Sequence, residues 1–305
     1  ENLILHAVFY HDVEVEELTE KNIPTLELKN YIDEAILWKY ESLLKQNQFI
    51  ACENLFSPAL IPFNFTEETL IKKLDEKSIA IDESLKFNKN NYEAVLFQQL
   101  AYAFGLKVNA EIFKQLAESL DFSVVNKIRQ NQTQLEALFF GVCGWLEKPE
   151  DEQMKVWKRE FNFLTVKYQL PTLKITPKFS KLRPPNFPTI RLSQLATLYY
   201  LNQNLFSKLI IKKKIDEIKT IFSNVKASDY WNNRFNFGKI SPVEGEKFLT
   251  EEFINLILIN TVLPFKYTYH KNSDENISDE ILDFYRTINP EKNTITENWK
   301  SMKFC

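Results

Sequence analysis

The spacing of apolar residues changes early in the chain, and that change limits what it can fold into. Leu3 to Tyr10 is an almost unbroken apolar run with β-branched and aromatic members, the pattern of a buried strand. Val13, Val15 and Leu18 then alternate with acids, and Ile23-Pro24-Thr25-Leu26-Glu27-Leu28 makes a further short extended run. From about residue 31 the recurrence turns helical, with Ile32, Ala35, Ile36, Tyr40 and Leu43 on one face. Two or three short strands form a marginal sheet alone, so they must lean on helices or pair with strands outside this chain. The expectation is an α+β fold: a small N-terminal β element followed by a large, mainly α-helical region.

Helix punctuation is dense after that point. Thr66, followed by Glu67 and Glu68, reads as an N-cap with acids in the first turn, where the helix dipole favours them. A helix over about 90–104 stops at Gly105, and Asn109 reads as the cap of the next, which carries Phe113, Leu116, Ala117 and Leu120 on one stripe. Thr133-Gln134-Leu135-Glu136 reads as a capping box opening a helix through Leu146. Trp157, Phe161, Leu164 and Tyr168 recur at helical spacing over 150–168. Pro171, Pro177, Pro184, Pro185 and Pro188 then forbid continuous helix. Further helices are expected at about 190–204, 206–223, 250–260 and 278–287. The expected organisation is a β element plus helix at 1–50, a helical block at 51–170, a proline-rich connector at 171–189 and a second helical block at 190–305. A strand-like run beginning at Leu3, so close to an opening Glu1 rather than Met, also suggests a processed or truncated chain.

Several functional classes lose their usual carriers. The five glycines form no GxGxxG or GxxxxGK[ST] loop, so a nucleotide cofactor is not expected. GxSxG and HExxH are absent as well. The cysteines, Cys52, Cys143 and Cys305, are far apart and show no metal spacing, so a reduced cytoplasmic protein and no cysteine-ligated metal are expected. No apolar run approaches the roughly 18 residues of a membrane helix. The net charge of −3 gives no whole-chain bias toward polyanions.

Two places carry concentrated polar chemistry. His11-Asp12 closes the first apolar run, where a strand end could present an acid–base or metal-binding pair; a polar turn is the alternative. The stretch Arg183-Pro184-Pro185-Asn186-Phe187-Pro188-Thr189-Ile190-Arg191-Leu192-Ser193-Gln194-Leu195 delivers Arg183, Asn186, Arg191 and Gln194 to a helix start behind a proline-fixed loop. Arginine forks and helix N-termini both favour anions, which makes these four a candidate anion or nucleic-acid site. The competing reading is an arginine clamp that satisfies buried acceptors and fixes two helical layers. Lys208, Lys212, Lys213, Lys214 and Lys219, interrupted by Asp216 and Glu217, read as a solvated face.

Taken together, these segments resemble a bacterial family of unknown function marked by the Arg183–Ala196 motif. The resemblance is also carried by Leu3–Val8 through His11-Asp12, Ile23–Leu28, Phe104-Gly105 with Val108-Asn109 and Glu136–Gly141. It continues with Tyr230-Trp231, Ile259–Val262 with Pro264, and Glu291-Lys292-Asn293 with Trp299. The resemblance implies a further segment before Glu1 with the metal-binding core of restriction-endonuclease-like nucleases, residues 3–10 being a later strand of that sheet. It also implies a cysteine-rich tail beyond Cys305. After Tyr230-Trp231 this chain has Asn233-Arg234-Phe235 where similar sequences show His-Tyr, so a histidine role there does not carry over. On this footing the leading expectation is a nucleic-acid-associated protein related to metal-dependent nucleases, using Mg²⁺ or Mn²⁺ if it cleaves. The alternative is a helical protein–protein interaction or scaffold module.

Overall fold

The computed structural model describes residues 65–289, Glu297, and the backbone of two short strands. The chain divides into two compact units, Glu1–Phe63 with Thr294–Cys305, and Asn64–Asn293. In the first unit β1 (His6–Val8) and β2 (Thr25–Glu27) pair in parallel, His6 opposite Thr25 and Val8 opposite Glu27. His11, Asp12, Cys52, Cys305 and the helical stripe expected over residues 32–43 lie outside the described residues.

The second unit is almost wholly helical, as the periodicity requires, so the chain is a mainly helical α+β protein. Its helices are α1 (Phe65–Phe87), α2 (Tyr92–Phe104), α3 (Leu106–Glu118), α4 (Phe122–Ile128), α5 (Gln132–Val142) and α6 (Glu152–Tyr168). After the proline-rich stretch come α7 (Pro188–Leu201), α8 (Leu205–Ile211), α9 (Ile215–Ser223), α10 (Glu251–Ile257), α11 (Leu263–Asn272) and α12 (Ser278–Thr287). A small antiparallel hairpin, β3 (Arg234–Asn236) and β4 (Lys239–Ile240), interrupts them.

The centre of this unit is α7. Every side chain from Pro188 to Tyr199 is buried, because α2 and α5 flank it and β3 closes on its start. Such a helix has no polar face, which is why its polar side chains must find partners inside the protein.

Several boundaries differ from the expected ones. Thr66 lies within α1 rather than capping it. Asn131, not Thr133, caps α5, accepting from the Gln134 backbone N–H at 3.1 Å, so Glu136 is released from any capping role. Asn109 lies inside α3 and is buried, while Leu106 takes the left-handed turn that starts the helix (φ 51°). The expected helix over 206–223 breaks at Lys212–Lys214 into α8 and α9.

Pro264 accounts for the π turn, Leu258–Val262, between α10 and α11. It offers no N–H to the Asn260 carbonyl four residues earlier. Lys77 Nζ takes that carbonyl at 3.3 Å, and the Tyr285 hydroxyl donates to the Ile259 carbonyl at 2.8 Å. The Ile259–Pro264 segment is thereby tied to α1 and α12.

Gly141 marks a close helix approach: a Cβ there would stand 2.1 Å from the Phe161 ring on α6. Gly141→Ala should therefore lower the unfolding free energy by about 1–3 kcal/mol. Urea titration checks this, and Phe161→Leu in the same chain should recover part of the loss.

Candidate nucleic-acid interface

The structure brings three of the four loop residues together. Arg191 is 3 % exposed. Its terminal nitrogens donate to Gln194 Oε1 at 2.9 Å and Asn186 Oδ1 at 2.5 Å. Its guanidinium carbon lies 3.6 Å from the centre of the Phe253 ring. Nε has no partner, no carboxylate among the described residues pairs with the group, and burial pushes its pKa down to about 10. The clamp closes on amide oxygens and an aromatic face rather than on a carboxylate or helix-terminal carbonyls. Arg183 stands apart, exposed at the end of the proline-rich stretch.

The bonding continues inward. Gln194 Nε2 donates to the Lys247 carbonyl at 2.8 Å, and Thr189 donates to the Phe235 carbonyl at 2.7 Å. Lys247, buried itself, sends its ammonium to the carbonyls of Trp231, Asn232 and Gly245 and covers the Phe235 ring. The first turns of α7 thus seat the whole 228–247 segment. In the Asn233-Arg234-Phe235 segment, Arg234 stacks 4.6 Å from the Tyr230 ring centre. The Tyr230 hydroxyl donates to Asp151 at 2.6 Å.

One group was not legible as functional or structural in the sequence. Glu136 is 2 % exposed in the middle of the core. Its carboxylate accepts from the Ser193 hydroxyl on α7, and Ser193 in turn accepts from the Ser228 backbone N–H at 2.9 Å. The Ser228 hydroxyl and the indole nitrogens of Trp157 and Trp231 also face it and favour its charged form, without closing hydrogen bonds of good geometry. Burial outweighs these donors and raises its pKa from the usual 4.5 to about 7. A lone acid inside the apolar run Leu135–Phe140 was the signal; its spacing from Thr133 imitates a capping box.

The proline-rich stretch is an ordered strap over residues 170–187. Leu173 and Ile175 donate their N–H groups to the carbonyls of Val142 and Cys143 at 2.6 and 3.2 Å. The Trp145 indole donates to the Ile175 carbonyl at 2.8 Å. Asn109 grips the Lys178 backbone from both sides, donating to its carbonyl at 2.9 Å and accepting from its N–H at 3.0 Å. That reciprocal pair is the reason a buried asparagine sits inside α3.

Extended backbone sends alternate side chains to opposite faces. Leu173, Ile175, Pro177 and Phe179 turn inward, while Thr172, Lys174, Thr176, Lys178 and Ser180 turn outward, followed by exposed Lys181 and Arg183. No aspartate or glutamate stands between Glu160 and Asp216 in the sequence, so this row has no internal counter-charge. No carboxylate among the described residues pairs with Lys174, Lys178, Lys181 or Arg183.

A family model described as "Protein of unknown function (DUF2851)" matches residues 1–294. The chain belongs to that family. No curated protein and no solved structure matches it. Membership fixes no activity, so the chemistry has to be argued from the arrangement of this chain's own residues. Among those described, no three His, Cys, Asp or Glu side chains are grouped to hold a metal ion, and no helix is long and apolar enough to cross a membrane. Cys143 is free and buried, and burial pushes its thiol pKa up.

Two measurements test these assignments. The folded-state pKa of Glu136 lies above its unfolded value, so the folded protein binds the proton more tightly between the two. Stability must then fall as pH rises from about 4.5 to about 7, by on the order of 3 kcal/mol, and stay low above it. Glu136→Gln should gain on the wild type across that window in melts at stepped pH; a pH-independent difference would sink the assignment. Separately, Arg191→Ala leaves the Asn186 and Gln194 oxygens unpaired and should cost about 1–3 kcal/mol in chemical unfolding. Arg183→Ala, at an exposed site, should stay within about 0.5 kcal/mol of wild type.

Proposed function

We propose that this protein binds nucleic acid along the strap, in a bacterial cytoplasm. The observation that supports it is the outward row of Lys174, Lys178, Lys181 and Arg183, interleaved with Thr176 and Ser180 and held by fixed backbone. Outward residues two apart on extended chain are about 6.6 Å apart, a step comparable to the phosphate spacing of an extended strand. Lysines and an arginine neutralise phosphates and release counterions, while the hydroxyls between them donate hydrogen bonds to phosphate oxygens. Because hydrogen bonds already order the strap, little further backbone entropy is lost on binding. The net charge of −3 does not oppose this reading, since the field that matters is the local one.

The reading is confined to binding. Phosphodiester hydrolysis by a nuclease of the kind the family resembles needs clustered carboxylates around Mg²⁺ or Mn²⁺. Arg191 serves it indirectly: its clamp on Asn186 holds the end of the strap from which Arg183 projects. Reduced, buried Cys143 fits a reducing compartment.

A helical interaction module is the second reading, favoured by Phe163 and Val166 on α6, 55 % and 85 % exposed and one turn apart. The deciding experiment is a salt titration of oligonucleotide binding by fluorescence anisotropy. Lys174→Gln with Lys178→Gln should reduce the slope of log affinity against log salt by roughly 0.7–0.9 for each phosphate no longer neutralised, with unchanged melting. An unchanged slope overturns the nucleic-acid reading. Binding of a protein partner that is lost in Val166→Asp and kept in the lysine variant would establish the second one.

A further inference from the structure

A concavity of about 340 Å³ opens beside the strap, lined among others by Trp145, Glu147, Glu150, Asn236 and Phe237. Its position relative to the strap is fixed by two contacts. Gly144, on its wall, lies so close to the strap that a Cβ there would stand 2.8 Å from the Leu173 carbonyl and 3.8 Å from the Lys174 Cα. Trp145 is bonded through its indole N–H to the Ile175 carbonyl. The Leu173–Ile175 part of the strap, which carries Lys174, therefore lies beside this concavity.

Two rigid aromatic rings stand in its mostly polar wall. Trp145 is half-buried and stacks on Phe140 at 6.2 Å between ring centres, while Phe237 meets Phe140 edge-on at 5.2 Å and Trp231 at 5.3 Å. Both rings are half-buried, held from behind by the buried core, and line the opening. The polar groups are of complementary kinds. Asn236 already accepts from the Phe237 N–H at 2.9 Å through its oxygen, so its amide nitrogen is the group left to donate. Glu147 and Glu150 are exposed carboxylates that can only accept, and Lys148 and Lys239 stand beside them on the rim.

We propose that the concavity receives one unpaired nucleobase of a strand lying along the strap, which makes the ligand single-stranded rather than duplex. The inference rests on the nucleic-acid reading above and deepens it. The Trp145 and Phe237 rings lining it supply a sequence-tolerant stacking surface of the kind single-strand binders use. The Asn236 amide and the two carboxylates fit the donors and acceptors of a free base edge, which a duplex would occupy with its own pairing. Lys148 and Lys239 then meet the phosphates on either side of the inserted base. A purely electrostatic strap would need no such arrangement.

The test compares four ligands of equal length by anisotropy at one salt concentration: a DNA strand with bases, the same strand with every site abasic, the corresponding RNA strand, and the DNA duplex. The base-bearing strands should bind roughly tenfold tighter than the abasic one, the stacking of a single base being sufficient, and tighter than the duplex. That ratio should collapse in Phe237→Ala. It should fall in Glu147→Gln as well, an exposed change that leaves the core intact and so guards against a folding artefact in the first variant. Equal binding of DNA and RNA places recognition on the base; a preference for RNA adds the 2′-hydroxyl to it. If base-bearing, abasic and duplex ligands bind alike and the variants change nothing, the pocket proposal fails while the strap survives. If none of the four binds, both fall.

Discussion

A carboxylate with no cationic partner sits where three helices and a loop converge, and the helical unit is organised around keeping it solvated. Glu136 on α5 is reached by Ser193 on α7, by Trp157 on α6 and by Ser228 and Trp231 of the segment after α9. Water supplies such donors freely at the surface. Inside, each must be delivered by a separate element at one fixed position, and a misplaced element leaves a buried charge or a buried dipole unmet. The buried acid thus acts as a register mark. It contributes less to net stability than to uniqueness: its raised pKa says that burial costs more than the donors return.

The same logic explains the motif from Arg183 to Ala196. A helix buried on all sides must find partners for most of its polar side chains inside the protein. Thr189, Arg191, Ser193 and Gln194 each bond to a different piece of chain, while the Tyr199 hydroxyl is left unpaired among the described residues. Their partners, Asn186, Phe235, Glu136 and Lys247, come from both sides of the helix in sequence. What looks in the sequence like a concentrated functional loop is, for Asn186, Arg191 and Gln194, an internal connector, and Arg183 is the member left facing solvent. Arg191 remains an oddity among buried cations, since Phe253 and two amides offset its desolvation without any carboxylate.

Much of this was legible in the sequence. Helical period, the irregular stretch after Leu170 and the mainly helical class follow from apolar spacing and proline placement. An arginine clamp was one of the two readings that the proline-restricted Arg183–Gln194 stretch left open, without choosing between Arg183 and Arg191. What was not legible had a common cause: polar residues whose partners are distant in sequence look like local caps. Asn109 bonds to Lys178, 69 residues away, and Glu136 to Ser193, 57 away, yet each stands where a cap or capping box is ordinary. Local spacing cannot separate the two cases, because the cap and the buried hub use the same residue types. The helix at Leu263–Asn272 escaped for a different reason, since Pro264 ordinarily forbids helix and here is absorbed by a π turn.

These two kinds of long-range polar bond also explain how a charged strap can exist on this protein. An extended run with Lys174 and Lys178 outward, followed by a turn at Lys181, has no neighbouring strand to pair with, so its backbone groups need other partners or water. Trp145, Asn109 and the carbonyls ending α5 supply them, and all three are fixed by the core that Glu136 keeps in register. The strap's cations repel one another, and only backbone anchoring of this kind keeps them in a row without counter-ions from the protein itself. A polyanion laid along the strap, as proposed above, would relieve that repulsion from the side opposite the anchors. Buried and exposed charge are thus separated on this molecule: Lys247 and Arg191 are consumed inside, while Lys174, Lys178, Lys181 and Arg183 are held out.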